Sequence, residues 1–244
     1  MPRRLRTLFP GVATHVVQRG NNRRICFFSE YDRHFYLGHL GELSAEFGCA
    51  VHAYVLMDNH VHLLITPSTA DGISQLMKHL GQRFVQQVNR IHRRTGALWE
   101  GRFYSSVIDT GAYLFSCYRY IELNPVRAGI VRHPRDFRWS SYRSNAEGEP
   151  SELLRPHEDY LALADGGEER LHVYRALFDL SLDGGAAAEI RHVTRGGFAF
   201  GSDEFKKRLS AASGRSMSPT RRRGLTPKPP LGVRPLNDDV ERAA

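Results

Sequence analysis

The apolar positions of the chain change period several times, and the changes predict the order β-α-β-β-α-β-α. "THVVQRGNN" (Thr14–Asn22) is a β-branched run that ends in a Gly-Asn-Asn turn. From Ser29 the period becomes helical: Phe35, Leu37, Leu40, Leu43 and Phe47 form a stripe ending near Gly48, with Ser29 as N-cap. "CAVHAYVLM" and "HVHLLITP" are apolar strands separated only by Asp58-Asn59, types that tolerate left-handed dihedrals, so a tight hairpin is predicted. An amphipathic helix over 71–93 follows, lined by Ile73, Leu76, Leu80, Phe84, Val88 and Ile91. "FYSSVID" (Phe103–Asp109) predicts another strand. "TGAYLFSCYRYIELNPVRAG" predicts a helix stopped at Asn124-Pro125, because the residue before proline is pushed out of the α region. The first six elements match a ferredoxin-like α+β fold, an antiparallel sheet with helices on one face.

"NAEGEPSE" (Asn145–Glu152) reads as a polar linker. Beyond it, "ERLHVYRALFDL", "GAAAEIRHV" and "SDEFKKRLSAA", the last capped by Ser202, predict a small helical extension. From about Gly214 the chain is rich in Pro and Arg with little to bury, and disorder is expected. The expected division is 1–143, a catalytic domain, 144–213, a helical extension, and 214–244, a basic tail.

With 41% hydrophobic and 25% charged residues, the composition is that of an ordinary globular protein. No apolar run approaches the roughly 20 residues of a membrane helix, and "MPRRLRTLFPG" lacks the apolar core of a secretory signal, so a soluble cytoplasmic protein is expected. The net charge of +8 is carried mostly by arginine, whose planar fork suits phosphate, and points toward nucleic acid. Cys26, Cys49 and Cys117 form neither a CxxC pair nor an even framework, which argues against disulfides and a cysteine zinc site.

The chemistry centres on His60 and His62. Alternate strand residues share a face, so both imidazoles point the same way and can chelate one divalent ion. Alone the pair is ambiguous, because two hydrogen-bonded rings at a sheet edge have the same spacing. Tyr113, Cys117, Tyr120 and Asn124 fall on one face of the later helix, beside a core stripe of Leu114, Tyr118 and Ile121. Tyr120 and Asn124 therefore lie one turn apart, and the Asn124 amide oxygen is a candidate third ligand. Two imidazoles and an oxygen leave positions open for phosphate and water; Mg²⁺ or Mn²⁺ suits phosphoryl transfer, although imidazoles also accept Zn²⁺.

"YVLMDNHVHLLI" and "YRYIELNPVRAG", with "HVVQRGNN" and "LWEGRFYSSVI" in the same order, resemble the HUH single-tyrosine transposases, and among them the REP-associated tyrosine transposase branch. The resemblance covers roughly residues 1–142, and the later "VYRALF…IRHVTRGGFAFGSDEF" is similar to longer members of that branch. It implies that His60, His62 and Asn124 hold the metal and that Tyr120 is the nucleophile, although glutamine or histidine stands in some relatives where this chain has Asn124. The implied reaction is cleavage and strand transfer of single-stranded DNA at hairpin or palindromic repeats, through a 5′-phosphotyrosine, by a monomer or homodimer in the bacterial nucleoid.

The candidate DNA contacts are Arg19, Asn21, Asn22, Arg23 and Arg24 in the loop after the first strand, with Trp99 as a stacking platform or, equally, a core residue, and Arg102 on phosphate. Arg83, Arg90, Arg93 and Arg94 are further candidates along or beyond the long helix, Glu100 is a candidate general base, and "TRRRGLTPKPP" is either a source of salt-dependent affinity or an uninvolved extension. Two other readings compete. A catalytically silent nucleic-acid-binding domain of the same fold lacks support from any RNP-like run, and a cyclic-phosphate esterase would need paired H-x-S/T motifs that "HVV" and "HVH" do not supply.

Overall fold

The structure is a computed structural model and describes residues 6–179 and 184–219. Its sheet has four strands, β1 (Thr14–Arg19), β2 (Cys49–Met57), β3 (His60–Pro67) and β4 (Tyr104–Val107), ordered β2-β3-β1-β4 with every neighbouring pair antiparallel. Helix α1 (Glu30–Glu46) links β1 to β2, and α2 (Gly72–Ile91) links β3 to β4, which gives the predicted ferredoxin-like order. Ser29 caps α1 in a reciprocal box with Asp32, as its position predicts. The β2–β3 hairpin closes through Asp58-Asn59, with Met57 opposite His60. It does so without left-handed backbone, since among the described non-glycine residues only Asn22, Arg23 and Arg93 have positive φ.

Strand alternation sorts the two faces. Val16, Val61, Leu63 and Ile65 pack against α1 and α2 with Leu40, Ile73, Leu76 and Phe84. A bulge between Val51 and Ala53 moves the rest of β2 by one residue, so Ala53, Val55 and Met57 join Leu64 on the opposite face. That face is covered by α3 (Ala112–Glu122), α5 (Tyr142–Glu147), α7 (Gly167–Asp179) and α8 (Gly184–Gly196), through Leu114, Tyr118, Tyr142, Tyr174 and Ile190. The helices beyond residue 144 thus build the second half of the core.

Three local expectations are refined or corrected. α3 ends at Glu122, as the Asn124-Pro125 pair predicts, but the chain turns helical again: α4 (Asn124–Arg127) follows after Leu123, itself at φ −82 and ψ 0, because Pro125 sits in the first turn where its missing N–H is not needed. The supposed linker begins inside α5, whose Asn145 and Ala146 are buried. Residues 214–219, expected to be disordered, continue the fold: Met217 is buried with Phe205 and Leu209 of α9 (Asp203–Ser213), and its carbonyl accepts from the Ala199 amide at 2.8 Å. The arginine run of the tail lies outside the described residues. Among the described residues no helix is long and apolar enough to cross a membrane, and all three cysteines are buried free thiols.

Candidate active site

β3 opens with His60 and His62 on the face that α3 covers. In register, His60 lies opposite Arg19 and His62 opposite Val17. The two imidazoles stand edge to face, with centroids 4.9 Å apart. Tyr120, two turns into α3 and 3% exposed, places its ring 5.6 Å from that of His62. Asn124 is buried, and its side chain is within hydrogen-bond reach of His60. The histidine pair and the tyrosine–asparagine pair, sixty residues apart in sequence, therefore meet at one place.

Burial and neighbouring charges set the protonation of both rings. Burial lowers the His60 pKa to about 4, helped by the nearby Arg19 charge and opposed by the Asn124 hydrogen bond. Burial also holds His62 well below its ordinary value, with His60, His15, Arg127 and Arg19 adding repulsion. Both are neutral at pH 7, the form that binds a metal ion. Among the described residues no group of three His, Cys, Asp or Glu side chains gathers as a metal site, and the Asn124 side chain is a polar group beside His60. Burial raises the Tyr120 phenol above its ordinary pKa, while Arg127, which hydrogen-bonds it, and Arg191 pull it back. The Arg127 guanidinium lies over the Tyr120 ring, 4.5 Å from its centroid.

The loop after β1 sits at the same end of the sheet. Asn21, Asn22 and Arg23 form a short 3₁₀ turn, exposed together with Arg24, and the turn is tied to the β2–β3 hairpin by Asn59 Nδ2 donating to the Arg23 carbonyl at 3.0 Å. Arg19 is half-buried beside His60. Glu100 is exposed, and its amide donates to the Arg19 carbonyl. Arg102 is exposed and lines a cleft of about 340 Å³ with Arg6, Thr194 and Arg195.

Trp99 takes the core position that the sequence left open: the residue is 8% exposed and its ring packs on Phe84 under α2. Arg83 and Arg90 lie on α2, across the sheet from the histidines, where Arg83 pairs with Glu42 and Arg90 with Gln87. Arg94 packs over Phe28.

The site also contains residues that the sequence patterns did not single out. Arg127 is seven residues after Tyr120 and three after Asn124, a helical spacing that would have revealed it. His15 shares a strand face with Arg19 and lies against both His62 and Tyr120, its ring 5.7 Å from that of the tyrosine. Arg191 arrives from α8, with no local signal.

Residues 9–124 match the family model described as "Transposase IS200 like". A putative REP-associated tyrosine transposase of Haemophilus influenzae is 27% identical over 107 residues, a match covering 40% of this chain and 61% of that relative. The chain thus spans less than two thirds of the curated relative it matches. A solved structure of a REP-associated tyrosine transposase bound to a REP hairpin overlays with a TM-score of 0.53 at 19% identity, covering 64% of this chain and 93% of that one.

Proposed function

We propose, on the premise that residues 9–124 carry the IS200-like transposase family, that this protein cuts and rejoins single-stranded DNA beside hairpin repeats, with Tyr120 as the nucleophile. The observation that carries the reading is the meeting of Tyr120 with two neutral imidazoles and the Asn124 amide in one buried corner. His60, His62 and Asn124 would hold a divalent ion, Mg²⁺ or Mn²⁺, which when bound neutralises charge on the scissile phosphate.

The chain's own residues supply the rest. Tyr120 Oη attacks phosphorus; the new P–O bond to tyrosine forms as the P–O3′ bond breaks, leaving a 5′-phosphotyrosine and a 3′-hydroxyl that has taken up a proton. Arg127 stabilises the phenolate that burial alone would disfavour. Because the phosphodiester energy stays in the tyrosine link, a 3′-hydroxyl can later attack it and reseal the strand without ATP. Arg19, Asn21, Asn22, Arg23, Arg24 and Arg102 would hold the strand by phosphate and base contacts at this end of the sheet. The hairpin preference follows the ligand named for the solved relative.

The test is a hairpin-flanked single-stranded oligonucleotide incubated with Mn²⁺ or with EDTA. The wild-type chain should form a covalent protein–DNA adduct only with metal, and Tyr120→Phe should form none while still binding the oligonucleotide. An adduct that persists in Tyr120→Phe removes the assignment. Binding without any wild-type adduct makes the protein a catalytically silent binder of the same fold.

A further inference from the structure

His15 Nε2 lies 2.8 Å from His62 Nδ1, and His15 Nδ1 lies 3.0 Å from Thr194 Oγ1. The two rings are stacked, with centroids 5.0 Å apart and planes within 9°. All three side chains are buried, His15 completely. We propose that His15 is a positioning residue for metal binding: with Thr194 of α8 it fixes the orientation and tautomer of His62, so that Nε2 faces the site unprotonated. This rests on the reading of His60 and His62 as metal ligands.

The proton positions follow from the partners. A neutral imidazole carries one N–H, and the ligating nitrogen must lack it. The only hydrogen bond of the His62 ring runs from Nδ1 to His15 among the described residues. For Nε2 to ligate, Nδ1 must donate to His15 Nε2; His15 then carries its proton on Nδ1 and donates to the Thr194 hydroxyl. The reverse direction would also pair every group, but it leaves the proton on His62 Nε2, where it blocks an ion. The chain Thr194–His15–His62 therefore has one polarity that permits ligation. His60 is held differently: its Nδ1 is 2.6 Å from Asn59 Oδ1, an oxygen that can only accept, which favours the proton on Nδ1, while its other side-chain partner is Asn124, itself proposed to hold the ion. One ligand is thus oriented by its sequence neighbour. The other is oriented through a bond to a residue 179 positions away from His15, on a helix beyond the matched family region.

Outer partners of metal-bound histidines typically change metal affinity by roughly 10–100-fold. The experiment uses the full chain, Mn²⁺ as the probe, free Mn²⁺ read by electron paramagnetic resonance, and the His62 tautomer read by ¹⁵N-histidine NMR. Wild type should bind one ion, and His60→Ala should abolish binding. His15→Phe keeps an aromatic ring but offers no acceptor, and should weaken Mn²⁺ binding about 10–100-fold and move the His62 proton away from Nδ1. His15→Gln, which can place an amide oxygen near the same point, should recover most of the affinity, and Thr194→Val should show a smaller loss. Melting curves accompany each variant; if His15→Phe does not fold, the His15→Gln and Thr194→Val pair carries the comparison. His15 and Thr194 variants that match wild type in Mn²⁺ affinity and His62 tautomer overturn the proposal. If wild type binds no Mn²⁺, the metal reading falls, and the His62 tautomer in the metal-free chain still decides whether His15 sets it.

Discussion

Glu122 lies two residues from both Tyr120 and Asn124, yet it serves the fold. Its carboxylate is fully buried and accepts from Ser141 Oγ at 2.5 Å, Asn145 Nδ2 at 2.8 Å and the Tyr174 hydroxyl at 2.8 Å. One side chain thus ties α3 to the start of α5, to α5 itself and to α7. Glu122→Leu would leave three buried donors without an acceptor and should cost roughly 3–5 kcal/mol in urea unfolding. Glu122→Gln should cost less, because its amide oxygen still accepts and its NH₂ can donate to the Tyr174 hydroxyl. Equal stability of the two variants would show that the donors find other partners. The pH dependence has a definite sign. Burial raises the Glu122 pKa from 4.5 to about 7, so its contribution is fully present below 4.5 and is lost as pH rises toward 7. The penalty of Glu122→Gln relative to wild type should therefore shrink between pH 5 and pH 8. Burial lowers His15, His52 and His60 to about 3, 4 and 4, which gives the opposite slope: stability is intact above 6.5 and falls as the solution is acidified. The comparison of Glu122→Gln with wild type isolates the carboxyl, since the histidines are common to both.

At the scale of elements, the loop of residues 20–24 and the β2–β3 hairpin act as one unit. The Gly20 amide donates to the Asn59 carbonyl at 2.8 Å, Asn59 Nδ2 donates to the Arg23 carbonyl, and the Cys26 amide donates to the Asp58 carbonyl at 2.7 Å. A Cβ on Gly20 would stand 2.2 Å from the Arg24 carbonyl oxygen and 3.3 Å from that of Asn59, so only glycine allows this approach. Asn59 also hydrogen-bonds His60, which couples the basic loop to a proposed metal ligand. Gly20→Ala should therefore lower oligonucleotide affinity and Mn²⁺ affinity together; loss of the first with the second unchanged would separate loop from ligand. The strands, both crossover helices and the hairpin were legible in the sequence because each is a local period or turn signal. Trp99 was left open between a base and the core, and the helical turn that contains Pro125 was not foreseen. An aromatic in a basic motif looks the same whether it stacks on a base or on Phe84, and proline breaks a helix or begins its next turn according to the backbone around it.

At the scale of the molecule, the His60–His62 and Tyr120–Asn124 pairs of the candidate site could be read from the sequence because each is a short motif. It could not show what holds them together, because those partners are distant: Thr194 for His15, Arg191 for Tyr120, Tyr174 for Glu122. A boundary at residue 143, natural from the polar "NAEGEPSE" run, falls inside α5 and removes α7 and α8 from the second face of the sheet. It would expose Leu64, Tyr118 and Ile121, orphan Glu122, and uncover the β4 edge, where the Phe200 amide bonds the Val107 carbonyl and Ser106 Oγ bonds the Phe198 carbonyl. The fragment 1–143 should therefore aggregate or melt without a cooperative transition, whereas 1–219, which keeps Met217 in its pocket beside Leu209, should unfold cooperatively and form the tyrosine adduct. Comparing the two by thermal melting and by Mn²⁺-dependent adduct formation puts the claim at risk: a fragment 1–143 that melts cooperatively and binds Mn²⁺ like the longer chain would mean that the C-terminal helices cover the active face without maintaining it.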